Sequence, residues 1–142
     1  MAKDSENTKG IRVTQKAIVL RKDGKFLTLF RSKTAPSFPL SWDLPGGQLE
    51  YGEDPVAGIV REIKEESGLD VSNVKIFDVF GHENAVGYWV TIAYRCDALS
   101  EEVALSYEHI DYRWVTKEEF LKLPSMPKNI HFVNNFLYER NK

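Results

Sequence analysis

An α/β fold is predicted by three observations. Two β-rich runs joined by an Asp-Gly turn open the chain, one amphipathic helix with clear start and stop signals follows, and further strand-like runs lead to two short helices.

Residues 13–20 and 26–30 are rich in β-branched and aromatic side chains, and Lys22-Asp23-Gly24 between them is a hairpin signal. Residues 32–41 (SKTAPSFPLS) carry two prolines and small polar residues, which reads as a loop. It leads to Trp42-Asp43-Leu44-Pro45-Gly46-Gly47, where Pro-Gly-Gly requires a sharp turn. Asp54 followed by Pro55 starts a helix, because Asp caps free amides and proline suits the first helical position. Gly68 stops it, and Val56, Ile59, Val60 and Ile63 recur at helical spacing as an apolar stripe for packing on a sheet. Residues 74–80, 88–94 and 112–115 read as strands. Thr116 with Glu119 makes a capping box for a short helix, and a last helix is expected over about residues 128–138.

A length of 142 residues suits one domain, expected over residues 11–142. The polar stretch 1–10 (MAKDSENTKG) has almost nothing to bury and is expected to be a flexible N-terminal arm. It lacks the apolar centre of a signal peptide, and no run approaches the ~20 apolar residues of a membrane span. A membrane partner is therefore not expected. With a net charge of −2 and both signs spread along the chain, a long nucleic acid is a disfavoured partner. Cys96, the single cysteine, sits in an apolar run, so neither an intrachain disulfide nor a CxxC zinc site can form. A reducing cytoplasmic setting is the expectation.

The chemistry concentrates in residues 47–69, GQLEYGEDPVAGIVREIKEESGL. At about 100° per helical residue, Glu62, Glu65 and Glu66 fall within roughly a 100° arc, an acidic patch beside the apolar stripe. Like charges at this spacing repel unless a cation neutralises them, and hard oxygen ligands suit Mg²⁺ or Mn²⁺. Taken alone, such a cluster also reads as a solvated helix face. Gly58, one turn before Glu62, costs about 1 kcal/mol relative to alanine. Its bare position either leaves room for metal or pyrophosphate or is a tolerated glycine.

This segment resembles the Nudix box, with Gly47, Glu53, Arg61, Glu62, Ile63, Glu65, Glu66, Gly68 and Leu69 matching at every specified position. Looser agreement extends over most of the chain beyond residue 10. The resemblance implies the Nudix fold, an α/β/α sandwich with a mixed β-sheet between helices. It also implies Mg²⁺-dependent hydrolysis of a phosphoanhydride in a nucleoside diphosphate linked to a further group, with Mn²⁺ as a substitute ion. Glu62, Glu65 and Glu66, with the Gly47 carbonyl, would ligate the metal, and Arg61 and Glu53 would form a supporting pair. The substrate implied is a nucleotide, and a (d)NTP pyrophosphohydrolase of MutT-like type leads. The alternatives are an ADP-ribose or nucleotide-sugar pyrophosphatase and a non-catalytic nucleotide-binding module.

Outside the box, Glu108 lies six residues before Trp114, a spacing similar to MutT-like members, and is a candidate fourth ligand or general base. The alternative is an ordinary loop glutamate, and the base stays open between Glu62 and Glu108. The resemblance to MutT-like proteins also implies that Asn129, fifteen residues after Trp114, reads a purine, the alternative being a helix N-cap. Arg31 would contact a phosphate or simply face solvent. His82, His109 and His131 have no metal-ligand spacing and are assigned no catalysis. Homodimerisation is common among such relatives, but no residue argues for an interface.

Overall fold

The computed structural model describes residues 10–138. Apart from Gly10, the expected N-terminal arm lies outside those residues.

Strand β1 (Ile11–Leu20) is the axis of a seven-stranded mixed sheet. Along its whole length it runs parallel to β6 (Tyr88–Ala98), from Ile11↔Tyr88 to Leu20↔Asp97. Its other edge is shared. At Leu20 it pairs with Phe26 of β2 (Phe26–Arg31), while Thr14, Gln15 and Lys16 pair antiparallel with β4 (Gly46–Gln48). The hairpin thus opens just beyond its turn, and β4 enters the gap. Strand β3 (Trp42–Asp43) and β7 (His109–Val115) both pair with β2, and β5 (Val71–Glu83) pairs with β6. The predicted turn is closed by Arg21 N–H to Lys25 O at 2.8 Å, with Gly24 at φ 90.

Burial alternates along β1 between two cores rather than between core and water. Ala17 and Val19 join Leu27, Leu29, Tyr94 and Cys96 under helix α1 (Pro55–Ser67), which contributes Ile59 and Ile63. Ile18 and Leu20 face the other way, onto Phe120 of helix α2 (Lys117–Leu121) and Val133 of helix α3 (Pro127–Asn135). A strand covered on both faces reads as a continuous apolar run, and two covered faces make the expected sandwich.

The helix signals work as read. Asp54 accepts the Ala57 N–H at 3.1 Å, and Gly68, at φ 77, donates to Lys64 O at 2.9 Å. Thr116 and Glu119 form the capping box. Three details differ from expectation. Strands β5, β6 and β7 run longer at one or both ends, sustained by pairing with β6 and β2. Val56 is exposed, so the stripe on α1 narrows to Ile59 and Ile63. Helix α3 stops at Asn135 because Phe136 turns extended, at φ −70 and ψ 127, and buries its ring 5.4 Å from that of Phe77. Among the described residues, no helix is long and apolar enough to cross a membrane.

Candidate active site

Helix α1 and strand β4 meet where β1 parts from β2. The Pro45 turn delivers Gly46 so close to β1 that a Cβ there would overlap the Gln15 carbonyl oxygen, so only glycine fits. The Gly46 N–H donates to Glu66 Oε1 at 3.0 Å. At Gly47 the backbone lies against the Glu62 carboxylate, and a Cβ there would overlap it. Two carboxylates one helical turn apart are thereby pressed onto two consecutive glycines.

Both acids are out of their ordinary surroundings. Glu66 is buried, at 8% exposure. Its burial pushes its carboxyl up to about 8, with Lys16 and the Gly46 N–H acting the other way and Asp43 and Glu62 adding to the rise. Glu62 is raised by partial burial, held back by Arg61 and pushed further by Glu65, Glu108 and Glu53. Glu65 departs from the expected single patch. Its side chain is 57% exposed and bonds Arg61 Nη1 at 3.1 Å, on the outer side of the helix.

Arg61 is the local counter-charge. It meets Glu53 through Nε at 2.6 Å and Nη2 at 3.1 Å, and Glu62 Oε2 lies 3.4 Å from Nη2. Arg61 and Glu53 are thus paired, and the pair fastens the loop before α1 to the middle of that helix. Gly58 serves this pair. A Cβ there would lie 3.0 Å from Gln15 Oε1 and from the Glu53 carboxylate, so the bare position makes room for these two side chains.

Glu62 and Glu66 open into a cleft of about 1030 Å³, whose lining includes Gly47, Arg31 and Glu108. Glu53, Arg61 and Glu65 lie outside that lining. Aromatic side chains Phe38, Phe80, Trp89 and Tyr107 supply apolar area. Glu108 is exposed, and its loop is tied to α1 by the Ser106 N–H to Glu66 O bond at 3.4 Å.

A second charge cluster, not foreseen in the sequence, centres on Asp43 at 2% exposure. Lys16 Nζ and Asn129 Nδ2 each donate to its Oδ1 at 2.8 Å, and Arg31 Nη1 donates to its Oδ2 at 2.9 Å. Burial alone would raise the Asp43 carboxyl, but Lys16, Asn129 and Arg31 together hold it at about 2. Arg31 is thus ion-paired at the cleft wall rather than solvated. Asn129 is buried within α3, whose N-cap is Met126, so it does not cap that helix. Its Nδ2 is engaged by Asp43 and Ser125, while its Oδ1 has no partner among the described residues. Lys128 and His109 also line the cleft. The available signals were a lysine inside the apolar run 13–20 and the Lys-Asn pair opening α3.

Residues 10–136 match the profile of the NUDIX domain family. The chain belongs to the Nudix hydrolase family. Among curated Nudix relatives, a MutT-like protein from Streptomyces ambofaciens is 31% identical over 107 residues, which is 75% of this chain and 65% of the relative. The match thus spans just under two thirds of that relative's length. Nucleoside triphosphatase NudI from Salmonella arizonae is 29% identical over 115 residues, 72% of this chain and 80% of the relative. The crystal structure of the MutT Nudix hydrolase from Burkholderia pseudomallei superposes with a TM-score of 0.78 at 26% identity, covering 90% of this chain and 99% of that one. The Nudix fold is therefore shared in full, and enzymes of this family generally depend on a divalent metal.

Proposed function

We propose that this Nudix hydrolase is a divalent-metal-dependent pyrophosphohydrolase acting on a (d)NTP. The observation that carries the reading is the pair of carboxylates, Glu62 and Glu66, set against the Gly46–Gly47 backbone at the wall of a large cleft. Relatives named as MutT-like and as a nucleoside triphosphatase support a triphosphate as substrate.

The residues present fit a hard cation. Among the described residues, no three His, Cys, Asp or Glu side chains already converge on one point. Glu66 nevertheless has its burial offset chiefly by Lys16 and one N–H, and the Glu62 carboxylate abuts the Gly47 backbone, so the donor set offered is oxygen throughout. Glu62, Glu66 and the Gly47 carbonyl would hold Mg²⁺, with Glu65 joining once released from Arg61. When bound, Mg²⁺ would neutralise phosphate charge and acidify water.

The chain's own residues do the rest. Arg61, gripped by Glu53, fixes the position of α1 against the loop and therefore the aim of both glutamates. Gly46 and Gly47 let the backbone of β4 lie close against Gln15 and the Glu62 carboxylate, which holds that carboxylate beside the Gly47 carbonyl. The Glu108 carboxylate, exposed on the cleft wall and without a hydrogen bond or ion pair among the described residues, is better placed than Glu62 to take the proton of the attacking water. Products are a nucleoside monophosphate and pyrophosphate. The test is nucleoside monophosphate release across a panel of NTPs, dNTPs and nucleotide sugars with Mg²⁺ and with EDTA, with pyrophosphate as the co-product from the triphosphates. Metal-dependent release is expected, while silence over that whole panel would favour a binding module.

A further inference from the structure

Among the described residues, three cations line the wall of the cleft formed by β1, β2 and α3, and two of them share one buried carboxylate. Lys16 and Arg31 are both spent on Asp43, at 2.8 and 2.9 Å. Lys128 is not. Its Nζ bonds only the Thr14 hydroxyl, at 3.4 Å, and no carboxylate lies within ion-pair distance of it among the described residues. That hydroxyl is itself fixed by Thr91 Oγ1 at 2.7 Å, so it steers the ammonium group without neutralising it.

A partly buried ammonium with one long hydrogen bond is costly to keep unless something else completes its shell. Two further features point to a ligand there. His109 lines the same cleft at 4% exposure, and neither of its ring nitrogens has a partner among the described residues. Helix α3 also starts without a side-chain cap among the described residues, and Met126, Pro127 and Lys128 at its start all line the cleft. An uncapped N-terminus adds positive potential where Lys128 already supplies a charge.

We infer that Lys128, steered by Thr14 and lining the same cleft as His109, is an anion subsite that binds a phosphate group of the ligand without help from the α1 carboxylates. A phosphate group gives the ammonium its counter-charge, and its oxygens are acceptors of the kind that a His109 ring N–H in the same cleft lacks. The edge of a neutral base would leave the excess charge in place. The subsite deepens the nucleotide reading and rests on it for the identity of the ligand, but its test requires neither metal nor turnover.

The experiment is calorimetric titration of inorganic pyrophosphate in EDTA into the wild type, Lys128→Gln and Lys128→Arg, with adenosine and thymidine as phosphate-free probes. The subsite requires wild-type binding that weakens about tenfold or more in Lys128→Gln and stays within about threefold in Lys128→Arg. Nucleoside binding, where present, should be the same in all three proteins. Equal pyrophosphate affinity in wild type and Lys128→Gln overturns the inference, as does a wild type that binds no pyrophosphate. Loss of nucleoside binding in Lys128→Gln with pyrophosphate binding kept overturns it in favour of base recognition. Should Lys128→Gln fail to fold, Lys128→Met takes its place with the same expected loss, and wild-type binding must also weaken as KCl is added; affinity unchanged in either overturns the inference. A protein silent in the hydrolysis panel but showing this dependence on Lys128 would sink the proposed activity and leave the subsite standing.

Discussion

Arg61 holds Glu53 with two parallel hydrogen bonds, 2.6 Å from Nε to Oε2 and 3.1 Å from Nη2 to Oε1. A lysine cannot reproduce that fork. Arg61→Lys is therefore expected to lower kcat/KM by roughly 10- to 100-fold, the usual range for a group that orients metal ligands. Because the two residues act as one unit, Glu53→Gln combined with Arg61→Lys should be little worse than either alone. Steady-state kinetics on the double-mutant cycle checks this, and full additivity would show the pair to be independent.

Neighbouring glycines should fail in different ways. Gly46→Ala drives a Cβ into the Gln15 backbone, which cannot yield without breaking the β1–β4 pairing. About 1–3 kcal/mol of stability should be lost. In Gly47→Ala the clash is with the Glu62 carboxylate, the movable end of a side chain. There the fold should survive while activity drops by about tenfold or more, as a displaced ligand predicts. Urea denaturation beside kinetics separates the two outcomes.

Asp43 makes stability depend on pH at the acid end. Its carboxyl titrates at about 2 in the folded protein against 3.8 for the ordinary group, because Lys16, Asn129 and Arg31 outweigh its burial. Below 3.8 the unfolded chain binds this proton more readily than the folded one. The stabilisation is thus complete above pH 3.8 and is lost as pH falls through about 2. Denaturation midpoints across that window should fall with pH in the wild type. A flat profile there would mean that the Asp43 cluster does not couple to folding.

Sequence pattern carried the outline because local signals and tertiary packing agree. The Asp-Gly turn, the Asp54-Pro55 start, the Gly68 stop and the Thr116–Glu119 box each depend on a few neighbouring residues, and each is present. The Arg61–Glu53 pair was legible for a related reason, since both lie in one contiguous box. What pattern alone did not reveal depends on distant chain segments. Whether Glu65 turns toward Glu66 or toward Arg61 is decided by the competing Arg61 bond, not by helical angle. The role of Gly58 needed the position of Gln15, 43 residues earlier in the chain. Asp43 collects partners from β1, β2 and α3, and no sequence spacing encodes that meeting.

The central claim is that Glu66, buried against Gly46, holds a catalytic divalent ion together with Glu62. Its most direct test is Mn²⁺ titration and Mg²⁺-dependent turnover in Glu66→Gln, which keeps shape and removes charge. Mn²⁺ affinity should weaken at least about tenfold and turnover should fall by about 100-fold or more, with the fold intact. Wild-type affinity and turnover in Glu66→Gln would contradict the claim.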